Sequence, residues 1–296
     1  MKLTYAHAMD YISGDSFQVW QCIQCQTGIT TPQPVTMAPY YPRQYRRYIP
    51  LIGKVLKFFY RRRVKHWASQ FPGPGMAFEM GCGDGLMLDT LRDLGWKVVG
   101  SERTPQAAYY AHYHLRLPVF VGGLETIQPG PHFDLIFLFQ VLEHLADPLV
   151  TVQRLSQLLR PGGKLIIGVP NFSSWQSKVG QEKWFHLDVP RHLRHYSLRS
   201  LQVLLNQSSM EIELINYVSF EHDFYGWVQT ILNRLDGSPN RLTRLLMRLT
   251  PPDPMHLLHF AAGSILGILL APLTILSWVF KQGGMIEITA RKVEGS

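Results

Sequence analysis

Apolar positions recur along this chain with two different periods. Residues 76–80, 97–101, 118–121, 133–139 and 163–169 are short, nearly continuous apolar runs, the pattern of strands covered on both faces. Between them, residues 86–94, 104–116 and 148–159 carry apolar side chains at helical spacing. Strand and helix in alternation predict a parallel α/β sheet with right-handed crossovers. Ser197 stands where an N-cap would open a further helix running to about residue 207. Residues 211–219 read as strand six, and residues 284–292 alternate as a last strand. Residues 1–40 show neither period and are expected to form an irregular leader.

The turn after the first of these strands is the most informative piece of the chain. The string FEMGCGDG, residues 78–85, ends a strand, places glycine at 81, 83 and 85, and leads into a helix start. Such a loop admits positive φ and lets a ligand approach where a Cβ would stand. The dinucleotide fingerprint needs glycine at its first, third and sixth positions. Counted from Gly81 the sixth position is Leu86, so that class is excluded. A tight turn with no ligand remains the alternative for the loop alone. The next strand, over 97–101, ends in Glu102, about 20 residues past the turn, where a carboxylate can accept from both ribose hydroxyls.

Two further strings make the pattern specific. FDLIFLFQVLEHLADP, residues 133–148, and LLRPGGKLIIGVPN, residues 158–171, follow the glycine loop in order. Together with an acid before Gly-x-Gly-x-Gly they resemble class I S-adenosylmethionine-dependent methyltransferases. Within that class they are similar to the subgroup of the ubiquinone-biosynthesis O-methyltransferases. The resemblance covers residues 79–219. It implies a Rossmann-like, seven-stranded, mostly parallel sheet with helices on both faces and an antiparallel last strand. It implies S-adenosyl-L-methionine as cofactor, with Glu79, Gly81, Gly83 and Gly85 on its methionine side. By the same resemblance Glu102 holds the ribose, Leu124 borders the adenine and Gln140 faces the cofactor after strand four. The domain is expected over 41–220 and 283–296, with a helical insertion over 221–282.

An acceptor hydroxyl needs a base, and histidine suits that task near neutral pH. His144, beside Glu143, is the first candidate; in the quinone O-methyltransferases this pair is associated with a divalent metal. A helix-capping role for the pair is the alternative. The segment over 184–197 resembles the part of the subgroup that lies over the substrate, which makes His186 and His192 further candidates. No metal set is assigned from sequence. Cys22 and Cys25 form a CxxC knuckle without a second pair, read as a degenerate, metal-free remnant.

Composition adds a surface question. The chain has 296 residues, a formal net charge of +8 and only 17% charged residues, where about 25% is usual. Three cysteines offer no disulfide framework, and no signal peptide is expected at the start, so the cytoplasm is the default. Residues 40–70 carry Arg43, Arg46, Arg47, Lys54, Lys57, Arg61, Arg62, Arg63 and Lys65 without an acid. After Pro50 they read as a basic amphipathic helix, at a membrane surface or over the sheet. Residues 257–280 contain no Asp, Glu, Lys or Arg and are long enough to cross the ~30 Å hydrocarbon core. Strands six and seven share one sheet, so a lone crossing is excluded. The choices are a helical hairpin, an in-plane helix broken near Pro272, or a buried helix. The expected enzyme moves a methyl group to a small-molecule or lipid-linked acceptor, on oxygen, at an anionic membrane surface on its cytoplasmic side. A nucleic-acid methyltransferase is disfavoured because QVLE, residues 140–143, replaces the tetrapeptide that base N-methylation uses. A non-catalytic membrane-associated module that binds the cofactor is the third reading.

Overall fold

The computed structural model describes residues 1–41, 50–128, 130, 132–237, 239–247, 249–251 and 253–293. Arg43, Arg46 and Arg47 lie outside them. The central sheet is built from β4 (Met76–Met80), β5 (Lys97–Glu102), β6 (Val119–Val121), β7 (Phe133–Phe139), β8 (Leu159–Pro170), β10 (Met210–Asn216) and β11 (Met285–Lys292). Their order is β10-β11-β8-β7-β4-β5-β6. Pairings from β8 through β6 are parallel, whereas β11 runs antiparallel to both neighbours. The expected seven-stranded sheet with an antiparallel last strand is therefore present.

The period of two in the strands sorts side chains to opposite faces. Ala77, Leu135, Phe137 and Ile166 pack under α1 (Pro50–Ala68) and α2 (Leu86–Asp93), with Trp67, Leu88 and Leu91 closing that layer. Phe78, Ile136, Leu138, Leu165 and Ile167 face α4 (Pro148–Leu158) and α6 (Leu198–Asn206), through Val152, Leu155, Leu201 and Leu205. Each such side chain contributes about 1.5–3 kcal/mol when fully buried. α3 (Pro105–Leu115) covers the β5–β6 edge and α5 (Trp175–Gly180) follows β8. Ser197 caps α6 as expected, in a capping box with Ser200.

The first 40 residues are not irregular. β1 (Lys2–Met9), β2 (Ser16–Gln21) and β3 (Gly28–Thr31) form an antiparallel meander, completed by the short β9 (Arg194–His195). Alternation in β2 is real, since Phe17 and Val19 are buried between exposed neighbours, but β1 interrupts it with register shifts against β2. That irregular pairing explains why the period was hidden. Cys22 and Cys25 lie in the β2–β3 turn, where Gln26 N–H donates to the Cys22 carbonyl and Cys25 Sγ lies 3.2 Å from Thr27 Oγ1.

Between β10 and β11 come α7 (Phe220–Leu235), α8 (Arg241–Leu246), α9 (Pro254–Leu269) and α10 (Ala271–Val279). α9 and α10 meet at Leu270 with a bend of 48°. Pro272 lies in the first turn of α10, where its missing N–H is tolerated. α7 is buried through Trp227, Val228, Gln229 and Leu232, and its Asp223 accepts a hydrogen bond from Trp278 Nε1 on α10. Burial raises the Asp223 carboxyl to about 8. Between about pH 4 and pH 8 the unfolded chain therefore releases a proton that the folded chain retains, so stability falls as pH rises through that window. Asp223→Asn keeps an acceptor for Trp278 and removes this cost. Its melting temperature should rise relative to the native protein as the buffer moves from about pH 5 to about pH 8; a difference constant across that range would contradict the assignment.

Candidate active site

The carboxyl ends of β5, β4 and β7 lie side by side, at the sheet edge where a ligand crevice is expected in sheets of this type. β4 delivers Glu79 and the glycine loop. Gly81 has φ +75° and a Cβ there would strike Val141, whereas Gly83, at φ +55°, has nothing within 4 Å of its Cβ position. The loop is thus packed at its start and open at its middle. Gly85, at φ +80°, is the N-cap of α2. β5 delivers Glu102, whose two oxygens accept from the N–H groups of Gly83 and Thr104, both at 2.8 Å. That bridging ties the second strand to the loop. Leu124 is buried at the start of a 3-10 turn after β6. Gln140 follows β7 with φ +59°, and its side-chain amide donates to Met285 Sδ at 3.3 Å. A non-glycine residue in that region is a local strain found often at functional sites.

The electrostatics of the crevice suit a cation. Burial, then the negative charges of Asp84 and Glu102, push the Glu79 carboxyl well above its usual range. One of its oxygens, Oε2, is buried without a hydrogen-bond partner. The same burial and carboxylates push the Cys82 thiol up. Three carboxyl groups around an open loop fit a ligand that carries a sulfonium and an ammonium group. Glu79, the 81–85 loop and Glu102 would hold its charged and ribose parts.

Beyond Gln140 the chain makes a 3-10 turn over Leu142–His144. There Glu143, His144 and His192 come together, with one ligand atom from each within 4.8 Å of the others. His192 Nε2 lies 3.9 Å from Glu143 and 3.8 Å from Asp188. The tautomers follow from the partners. His144 Nδ1 is 2.7 Å from the Arg191 carbonyl and His192 Nδ1 is 2.9 Å from the His186 carbonyl. A carbonyl only accepts, so both Nδ1 atoms carry the proton. Each Nε2 is then a lone-pair donor, the arrangement that metal-binding histidines use. Burial above all holds His192 well below its usual range and therefore neutral. The three donors suit one divalent cation, or a base supported by a carboxylate.

His186 does not join them. Its ring packs against α7, where a Cβ on Gly226 would lie 2.7 Å from its Nε2, and burial lowers it to about 3. Only its backbone carbonyl serves the cluster. Sequence reasoning missed Arg191, Tyr60 and His222. Arg191 is 0% exposed, lies 2.7 Å from both Asp10 and Asp188, donates to the Tyr40 carbonyl and stacks over Tyr11. Burial alone would raise the Asp188 carboxyl, but the Arg191 charge overrides it and brings it to about 2. Tyr60 on α1 and His222 on α7 stand 5.9 and 5.7 Å from the Phe139 ring, one residue before Gln140. No local signal marks them, because α1 and α7 meet there only in the fold.

The comparisons agree with this geometry. The family described as a methyltransferase domain matches residues 53–213. The chain belongs to that family. Its cofactor is S-adenosyl-L-methionine, and residues 53–213 form the methyltransferase domain of an enzyme. A probable S-adenosylmethionine-dependent methyltransferase of Mycolicibacterium smegmatis is 28% identical over 177 residues, 58% of this chain and 66% of that protein. A ubiquinone biosynthesis O-methyltransferase of Xanthomonas campestris pv. campestris is 30% identical over 146 residues, 45% of this chain and 60% of that protein. The matched part thus spans less than two thirds of either relative's length. Among solved structures, a putative sarcosine dimethylglycine methyltransferase from Galdieria sulphuraria aligns with a TM-score of 0.54 at 13% identity, covering 83% of this chain and 92% of that one. The [4+2]-cyclase SpnF aligns at 0.52 and 18% identity, covering 79% and 81%. Both share the fold.

Two substitutions test the site. Glu102→Gln retains one acceptor oxygen but loses the charge, and should weaken cofactor binding about tenfold, measured by calorimetry; unchanged affinity would remove Glu102 from the ribose. Arg191→Met leaves Asp10 and Asp188 buried without their cation and should cost about 3–5 kcal/mol of stability in a denaturant titration. Adding Asp10→Asn to Arg191→Met should restore part of that loss.

Proposed function

We propose that the enzyme transfers the methyl group to an oxygen of a small-molecule or lipid-linked acceptor. The observation that carries this reading is that the Glu143–His144–His192 cluster follows within a few residues of Gln140, at the carboxyl end of β7. Bound S-adenosylmethionine supplies the activated methyl group. The chain's own residues then have two tasks. Glu79, the glycine loop and Glu102 fix the cofactor, and the cluster removes a proton from the acceptor hydroxyl.

His144 is the better proton acceptor of the two imidazoles. It is half-buried and its Nδ1 proton is held by the Arg191 carbonyl, so Nε2 is the ring atom that would take the acceptor's proton. His192 is buried and its basicity is depressed, so it positions rather than receives. Asp188 and Glu143 stabilise the positive charge that His144 gains. A phenolic acceptor suits this design, because its hydroxyl ionises far more easily than an alcohol and asks less of the base. The ubiquinone-biosynthesis relative points to the same class.

His144→Gln should lower turnover by about a hundredfold or more while cofactor affinity stays within twofold. A decisive assay uses methyl-labelled S-adenosylmethionine, the purified protein and a cell extract partitioned into organic and aqueous phases. Label recovered in the organic phase, released as methyl iodide by hydriodic-acid ether cleavage and not as methanol by mild alkali, supports an O-methylated lipid or quinone-like product. Label confined to protein or nucleic acid would overturn the reading.

A further inference from the structure

α9 and α10 are folded inside out. Their buried positions are small or polar: His256, His259, Gly263, Thr274 and Ser277. Leu266 and Leu270 pack on Val228, Leu232 and Leu242, but much of the remaining large apolar surface points away from the protein, with Ile265 61%, Ile268 77%, Leu269 67% and Val279 69% exposed. A helix that only packs on a core turns its apolar stripe inward. Here the inward groups are satisfied. His259 Nε2 lies 3.2 Å from Asp236, and the hydroxyls of Thr274 and Ser277 donate to the carbonyls of Leu270 and Thr274. Rotating the helices to hide their apolar side would break the contacts of His259 with Asp236 and of Trp278 with Asp223, while the Thr274 and Ser277 bonds lie within α10 itself. The outward apolar face is therefore the low-energy arrangement of this packing, and an exposed patch of this kind marks an interaction site.

The patch continues onto α1. Trp278 packs against Phe220 at 4.7 Å, Phe220 stacks on Phe59 at 5.7 Å, and Phe59 lies against the exposed Phe58 at 5.3 Å. Lys54, Lys57 and Arg61 are exposed on the same helix, and Lys178 and Lys281 are exposed beside the end of α10. Neither α1 nor the segment over 254–282 contains an acidic residue. Cationic side chains bordering an apolar and aromatic surface are complementary to an anionic lipid interface, where long basic side chains reach headgroups while apolar ones enter the acyl boundary.

We propose that α1, α9 and α10 form a docking face for an anionic lipid bilayer, with α9 and α10 lying in the plane of its surface. A single crossing is ruled out by the β10–β11 pairing, which returns both ends of the insertion to one sheet. Among the described residues no single helix is long and apolar enough to span a membrane, and the 48° bend between α9 and α10 suits an in-plane pair. The crevice lies next to this face, since α1 and α7 also carry Tyr60 and His222 beside Phe139. Docking would bring a lipid-borne acceptor to the site, a benefit that rests on the proposed function; docking itself does not.

The test is flotation of the full-length protein with vesicles of phosphatidylcholine alone or mixed with phosphatidylglycerol. The protein should float with the mixed vesicles, less so with the neutral ones, and added salt should weaken the binding. Ile265→Asp combined with Ile268→Asp should lower vesicle affinity about tenfold or more. Lys54→Glu, Lys57→Glu and Arg61→Glu together should reduce binding on mixed vesicles to the neutral level. Both variants alter exposed positions, so melting temperature and cofactor affinity should match the native protein. Native protein that ignores both vesicle types, or aspartate variants that float undiminished, would overturn the proposal. So would a lipid-free dimer that the two aspartates dissociate, which would assign the face to a second copy. Flotation needs no turnover, so an inactive protein that floats would sink the acceptor reading and leave this one standing.

Discussion

A charged group with no access to water must be surrounded by its own partners, and Arg191 imposes that constraint on this protein. Its guanidinium is buried between Asp10 and Asp188, against Tyr11 and under the Tyr40 carbonyl. Leaving such a cation unpaired costs several kcal/mol, so three segments far apart in sequence must close on it together. One is the N-terminal meander and another is the loop that carries Asp188 and His192. The meander is thus a support for the site. Thr30 strengthens the tie, since its hydroxyl donates to the His192 carbonyl and accepts from His195 Nε2. The carboxylate that Arg191 holds ionised lies 3.8 Å from His192, so the same pairing that anchors the meander sets the charge beside the cluster.

Arg63 does the corresponding work on the other side of the sheet. It pairs with Glu221 at the start of α7 and with Glu287 in β11, donates to Ser219, and lies over the Phe139 ring. Trp67, one turn further along α1, donates to the second oxygen of Glu287. The helix that covers the sheet, the last strand and the insertion therefore share one polar node. An arginine can do this because its planar fork offers several donors at once. The consequence is positional: α1 and α7 converge over the end of β7, where Gln140 enters the crevice.

The structural neighbours show why fold alone does not name a reaction. A cyclase and a methyltransferase both align over most of this chain. What they share is the sheet and the crevice at its carboxyl end. Acceptor chemistry resides in what is laid over that crevice. In this chain the parts added outside the sheet are the 184–197 segment, braced by Arg191, and the α7–α10 insertion, braced by Arg63. One delivers a histidine beside Glu143 and His144. The other presents an apolar face outward.

The sheet, its crossovers, the glycine loop and Glu102 were legible in the sequence because they obey local rules. A buried parallel strand is an apolar run, and a ligand-approaching turn needs glycine within a few residues. The capped α6 followed from the same regularities, whereas the antiparallel direction of β11 was implied by the family resemblance. What the sequence could not reveal depends on contacts between distant segments. β1–β3 form a sheet whose edge is completed by two residues more than 160 positions away. His192 joins Glu143 and His144, whereas His186, six residues earlier, turns its ring into α7; spacing alone could not separate them. The apolar composition of residues 257–280 was plain, but composition has no direction. Only the tertiary structure decided which side of α9 and α10 faces inward, because His259 meets Asp236 and Trp278 meets Asp223 there, while Thr274 and Ser277 satisfy their hydroxyls within α10.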